Sequence, residues 1–183
     1  MFDLNDDQRK TLLGIARKSI AAVLAGQAPE WNANDFDEVL RRPAGAFVTL
    51  KTHEGELRGC IGSIQAVHPL FHAVASSAIS AAFRDPRFPP LHAGELDDLD
   101  LEISVMGPIE VVTNIEDIVP GRDGLIITKG RNAGLLLPQV ATEYGWDRQT
   151  FLHHTCLKAG LHRDAWRESG CLIEKFSAAV FGE

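Results

Sequence analysis

The amino-acid sequence predicts an α+β fold: an antiparallel β-sheet flanked by helices, in a single domain spanning residues 1–183. Three observations carry this. Helical periodicity sits toward the two ends and once after the first hairpin, strands cluster in meanders rather than alternating strictly with helices, and no repeat of fixed period or low-complexity tract occurs. At 183 residues, 45% hydrophobic and 23% charged, the chain is long and apolar enough to bury a core without disulfide or metal staples.

From Asp6 to Gln27 the residues Leu12, Leu13, Ile15, Ala16, Ile20, Val23 and Leu24 recur at three- and four-residue spacing, with Gly26 as a stop signal, which predicts an amphipathic helix. Residues 28–43 mix Pro, Asn and acids with Trp31, Phe36 and Val39, and read as a loop pinned by apolar anchors, without regular structure. GAFVTLK (45–51) and LRGCIGSI (57–64) are β-rich runs around a polar loop with Gly55, a hairpin signal. Pro69 opens a helix whose face is Leu70, Phe71, Val74, Ala75, Ala78, Ile79 and Ala82, and which ends before Asp85-Pro86. Successive prolines make RFPPL (87–91) an ordered loop.

DLEISVM (100–106) alternates as a strand, and Gly107-Pro108 is expected to break it from a second strand at 109–112. Residues 124–129 read as a strand and 134–137 as a shorter extended piece. Pro138 opens a helix to Tyr144, and Asp147 caps another carrying Phe151, Leu152, Thr155, Cys156 and Ala159 on one face. An apolar strand, 171–181, closes the chain.

Eighteen Lys and Arg against 25 Asp and Glu give a net charge of −7, which repels phosphate backbones, so no nucleic-acid partner is expected. No apolar run approaches a membrane span and the first ten residues lack a signal sequence, so no membrane association is expected and the cytoplasm is the expected location. Cys60, Cys156 and Cys171 are odd in number and form no CxxC pair, which argues against a disulfide framework or a thiolate zinc site. The His68/His72 and His153/His154/Cys156 spacings are poor ligand sets, and no metal is assigned. Glycine patterns of nucleotide sites, G-x-S-x-G and H-E-x-x-H are all absent. No cofactor and no oligomeric state follow from the residues.

Two segments stand out. In LRGCIG (57–62) an extended backbone would aim Arg58 and Cys60 at one face, with Gly59 and Gly62 leaving space for an approaching group. A guanidinium beside a thiol favours the thiolate, the nucleophilic form. The competing reading makes Cys60 a small packed hydrophobe, Arg58 an ion-pair partner and the glycines formers of a bulge. In FRDPRFPPL (83–91) rigid prolines hold Arg84, Asp85 and Arg87 either as a wall of an anion pocket or as a structural pair tying down the loop. If Cys60 is a nucleophile its base is missing from the motif; Glu102 and His154 are the residues that could supply it.

LRGCIG, followed in order by FRDPRFPPL, by LEISVM from Leu101 and by GLLLPQVATEYGWDRQTFLHHTCLKAGL (134–161), resembles the AMMECR family over residues 45–161. That resemblance implies a two-lobed α+β domain, the larger lobe built from both chain ends, with a cleft near the hexapeptide. It implies Leu57, Gly59, Ile61 and Gly62, with Arg84, Asp85 and Arg87, as binding residues, and Cys60 and Arg58 as catalytic ones if the protein is an enzyme. It also implies kinship with component A of the AmmeMemoRadiSam system, hence Memo-like and radical SAM proteins as partners; a small anionic ligand is the expectation from Arg58, Arg84 and Arg87 themselves. No reaction comes with the family.

Overall fold

The structure is a computed structural model that describes residues 3–183. The chain forms two compact units, one of residues 3–106 with Ala179–Glu183, the other of Gly107–Ala178. The α+β class is as expected.

In the larger unit, Asn5 caps helix α1 (Asp6–Leu24) through a capping box with Gln8. The segment expected to be a plain loop contains a short 3₁₀ turn at Ala33–Asp35 and a one-turn helix α2 (Glu38–Arg41). Asp37 is the reason for the latter: its carboxylate accepts from the Leu40 N–H and from the Gln8 side chain. Strands β1 (Ala46–Thr52) and β2 (Leu57–Ser63) form the predicted hairpin, and helix α3 (Leu70–Phe83) follows. Strand β3 (Leu99–Val111) pairs antiparallel with β1 on the side away from β2. Helix α3 packs on β1 and β2 and against α1. The core lies on that face: Val48, Leu50, Leu101, Ile103 and Val105 from the strands meet Leu12, Ile15 and Ile20 of α1 and Leu70, Val74 and Ala78 of α3. By the period of two, Phe47, Thr49 and Lys51 point away from the core and are only half-buried.

Gly107-Pro108 does not break β3, contrary to expectation. The β1 ladder ends where the Met106 N–H donates to the Gly45 carbonyl, so Pro108 lies past the last β1 rung and its missing N–H costs that ladder nothing. Gly107 serves close approach rather than a turn, since a Cβ there would stand 2.3 Å from the Ser177 hydroxyl.

In the smaller unit, strand β4 (Asp123–Lys129) pairs antiparallel with both β5 (Asn132–Leu136) and β6 (Leu172–Gly182). Helix α4 (Pro138–Glu143) and helix α5 (Arg148–Lys158), capped by Asp147, complete it. Ile118, Leu125, Ile127, Phe151, Leu152 and Cys156 form its core. Gly134 lets α5 close on β5, because a Cβ there would lie 2.3 Å from the Ala159 nitrogen.

Candidate functional site

The hexapeptide occupies β2, and β2 is the edge strand of its sheet. Cys60 stands opposite Thr49. Its backbone N–H and C=O point outward, away from β1, where an edge strand normally meets water or another chain. Here both are covered. The Cys60 N–H donates to Asp85 Oδ2 at 2.9 Å, and the Cys60 carbonyl accepts from Arg87 Nη2 at 3.3 Å. With its backbone groups turned outward, the Thr49/Cys60 pair has closely spaced side chains, and the Thr49 hydroxyl donates to Sγ at 3.2 Å.

The loop after α3 thus ties down β2. The Asp85 side chain is only 1% exposed and accepts from the Arg87 backbone N–H at 3.1 Å, from Arg87 Nε at 2.9 Å and from Arg87 Nη2 at 2.7 Å, besides Cys60. The Arg87 guanidinium, helped by the two backbone N–H groups, holds the Asp85 carboxyl far below the usual carboxylate range despite its burial. Asp85 raises Arg87 in return. The fork geometry is bidentate, the strong form of this pair.

Arg58 takes a different course from Cys60. The register passes from Leu50 opposite Gly59 to Lys51 opposite Leu57, so Arg58 is the extra residue of a bulge. Its guanidinium, 13% exposed, pairs with Glu95 through Nε at 3.2 Å and Nη2 at 3.4 Å, while its buried Nη1 has no hydrogen-bond partner among the described residues. Glu95 also accepts from the His92 backbone N–H at 2.6 Å, and that bond first, then Arg58, keeps the Glu95 carboxyl below its ordinary value. Arg58, Glu95, Thr52, His53 and Asp98 line an open pocket of about 380 Å³.

The two glycines do not leave an empty approach. A Cβ on Gly59 would stand 2.2 Å from the Ala81 carbonyl oxygen of α3, and one on Gly62 would stand 2.4 Å from Cγ of Phe47. The protein itself fills the space that the expectation left for a ligand. Ile61 packs against the core, and Leu57 is 40% exposed. Arg84 is exposed and its side chain makes no hydrogen bond or ion pair among the described residues.

Of the residues weighed as a base, Glu102 pairs with Lys51 at 3.1 Å, and His154 stacks on Trp146 with ring centroids 3.9 Å apart. Among the described residues the only side chain that hydrogen-bonds the Cys60 sulfur is Thr49. Cys156 is fully buried, and burial pushes its thiol up, as it does for the half-buried Cys171. Among the described residues no three His, Cys, Asp or Glu side chains come together as a metal site, and no helix is long and apolar enough to cross a membrane. Thr49 and Glu95 are the residues of this region that the sequence did not single out.

The comparisons with known proteins agree on the family of the chain and on its fold. The AMMECR1 family pattern matches residues 13–181, and the chain belongs to that family. A protein of Methanothermobacter thermautotrophicus is 44% identical over 186 residues, covering 98% of this chain and 96% of the relative. One of Methanocaldococcus jannaschii is 45% identical over 175 residues, covering 92% and 86%. The crystal structure of an uncharacterised protein from Pyrococcus horikoshii superposes with a TM-score of 0.92 at 40% identity, covering 98% of this chain and 93% of that one.

Proposed function

We propose that this AMMECR1-family chain is a binding or accessory component rather than a catalyst, acting in the cytoplasm beside Memo-like and radical SAM proteins. Its contact region on this reading is the outer edge of β2 with the 84–87 loop. The partner classes rest on the resemblance to the AmmeMemoRadiSam system.

The observation that supports a non-catalytic role is the commitment of the charged groups around Cys60. Asp85 and Arg87 are spent on each other and on the Cys60 backbone, and Arg58 is neutralised by Glu95. A thiol nucleophile is activated by a base within hydrogen-bond reach or by a free cation beside it, and among the described residues the sulfur's one side-chain hydrogen-bond partner is a hydroxyl. The enzyme alternative, with Cys60 as nucleophile and Arg58 on an anionic substrate, draws support from the partial exposure of Cys60.

Co-purification with Memo-like and radical SAM proteins from the same genome tests the reading, comparing wild type with Leu57→Asp and Cys60→Ser at matched folding. Loss of partner with Leu57→Asp and retention with Cys60→Ser is the expected result. Equal recovery in all three removes the β2 edge as the interface. Multiple turnovers of a substrate that are abolished by Cys60→Ser make the protein an enzyme.

A further inference from the structure

We infer that the larger unit carries a second binding site, on the outer side of α3, for a small monocyclic aromatic carboxylate held by Arg84 against Trp31. The three arginines of the two sequence motifs meet three different fates. Arg58 is paired with Glu95 and Arg87 with Asp85. Arg84, at the C-terminal end of α3, makes no hydrogen bond or ion pair among the described residues and lines a cavity of about 230 Å³ instead. That cavity belongs entirely to the larger unit, does not include Cys60 and shares only Arg84 with the contact region proposed above, and its occupancy is read at Trp31, outside that region.

The lining fixes the chemistry of the occupant. Arg84 is its only permanent charge, so a single negative charge is matched, and a guanidinium fork suits a carboxylate. His72 and Ser76, further toward the N-terminus of α3, add polar atoms to the lining. Trp31, Pro29 and Ile79 are the apolar walls, and the flat indole favours a flat ring over a flexible chain. The indole is held in place: its Nε1–H donates to Ser19 at 3.2 Å, and its ring packs on Phe36, which stacks on Phe71. A wall fixed this way loses no freedom when a ring is laid on it. The volume falls below the roughly 300 to 1,000 Å³ of sites for drug-sized ligands, which restricts the occupant to one ring and one acid group.

Benzoate is the probe, with benzamide as its neutral isostere and hexanoate as its non-aromatic counterpart. Binding is followed by titration of the Trp31 indole N–H resonance in ¹⁵N-labelled full-length protein, assigned by its loss in Trp31→Phe. Benzoate is expected to shift that resonance saturably, benzamide and hexanoate at least tenfold more weakly, and Arg84→Gln is expected to weaken benzoate at least tenfold. Arg84 has no partner whose loss would unfold the chain, and Arg58→Gln, in another pocket, leaves the benzoate affinity unchanged. No saturable shift with benzoate up to tens of millimolar, equal affinity for benzamide, or an unaltered affinity in Arg84→Gln overturns the assignment.

Discussion

Replacing Asp85 by Ala separates a structural latch from an ornament. The carboxylate accepts four hydrogen bonds, one from the edge N–H of Cys60 and three from Arg87. Losing the Cys60 bond costs about 1 kcal/mol, the net worth of an ordinary hydrogen bond. The two side-chain bonds from Arg87 are charge-assisted but replaceable in part by water, because the Arg87 side chain is 54% exposed, so together they add about 1 to 2 kcal/mol. The expected loss is therefore about 2 to 3 kcal/mol, read from urea denaturation at pH 7. The pH dependence supplies an independent check. Asp85 has a folded pKa below its unfolded one, so the unfolded state binds more protons in the window between them and stability rises with pH there. Its contribution is complete above the ordinary carboxyl value of about 3.9 and drains away as the pH falls below it. The gap between wild type and Asp85→Ala must therefore narrow between pH 5 and pH 2.5. A loss under about 1 kcal/mol at pH 7, or a gap that stays constant on acidification, refutes the latch.

Three further outcomes follow from the same contacts. Gly59→Ala drives a methyl into the Ala81 carbonyl, and because the obstacle is backbone the cost is about 3 kcal/mol or more, seen as a lowered urea midpoint or insoluble protein. At the Arg58–Glu95 pair, Glu95→Ala is expected to cost about 2 kcal/mol, since it strands a guanidinium that is 13% exposed, whereas Arg58→Met costs under about 1 kcal/mol; equal losses in chemical denaturation contradict this. With a disulfide reagent at neutral pH, Cys60 is modified before Cys156, which reacts only on unfolding, and mass spectrometry of the labelled peptides checks the order.

The hairpin, the capped helices and the core faces were legible because local rules fix them: loop polarity, caps and periodicity act over a few residues. What failed at the motif was a matter of one residue. A five-residue loop between Lys51 and Leu57, extended without irregularity, would set Thr49 opposite Gly59; the bulge at Arg58 moves it opposite Cys60 and takes Arg58 out of simple alternation. The sequence raised a bulge only as one alternative, and nothing in the residues located it. Glu95 was illegible for another reason: it lies in a turn 37 residues further along the chain, and no local pattern links it to β2. Gly107-Pro108 misled because the same dipeptide suits a turn and the end of a ladder, and only the point at which β1 stops distinguishes them.

The two motifs that the sequence shows as separate signals form one physical device. Gly59 has no side chain, so α3 can descend onto β2 until the Ala81 carbonyl occupies the place of a Cβ. Helix α3 ends at Phe83, ahead of Asp85-Pro86, and two residues later Asp85 reaches the Cys60 N–H. A proline at position 86 then helps present Arg87 back to the same carboxylate and to the Cys60 carbonyl. The device seals the N–H and C=O of Cys60 on the sheet edge, and sealing an edge suppresses promiscuous strand pairing. A partner that recognises β2 therefore has side chains and the latched loop to read at Cys60, not a free backbone rung. That argues for a contact of defined shape and charge, and it makes exposed Leu57 a better first target for disrupting it than the thiol.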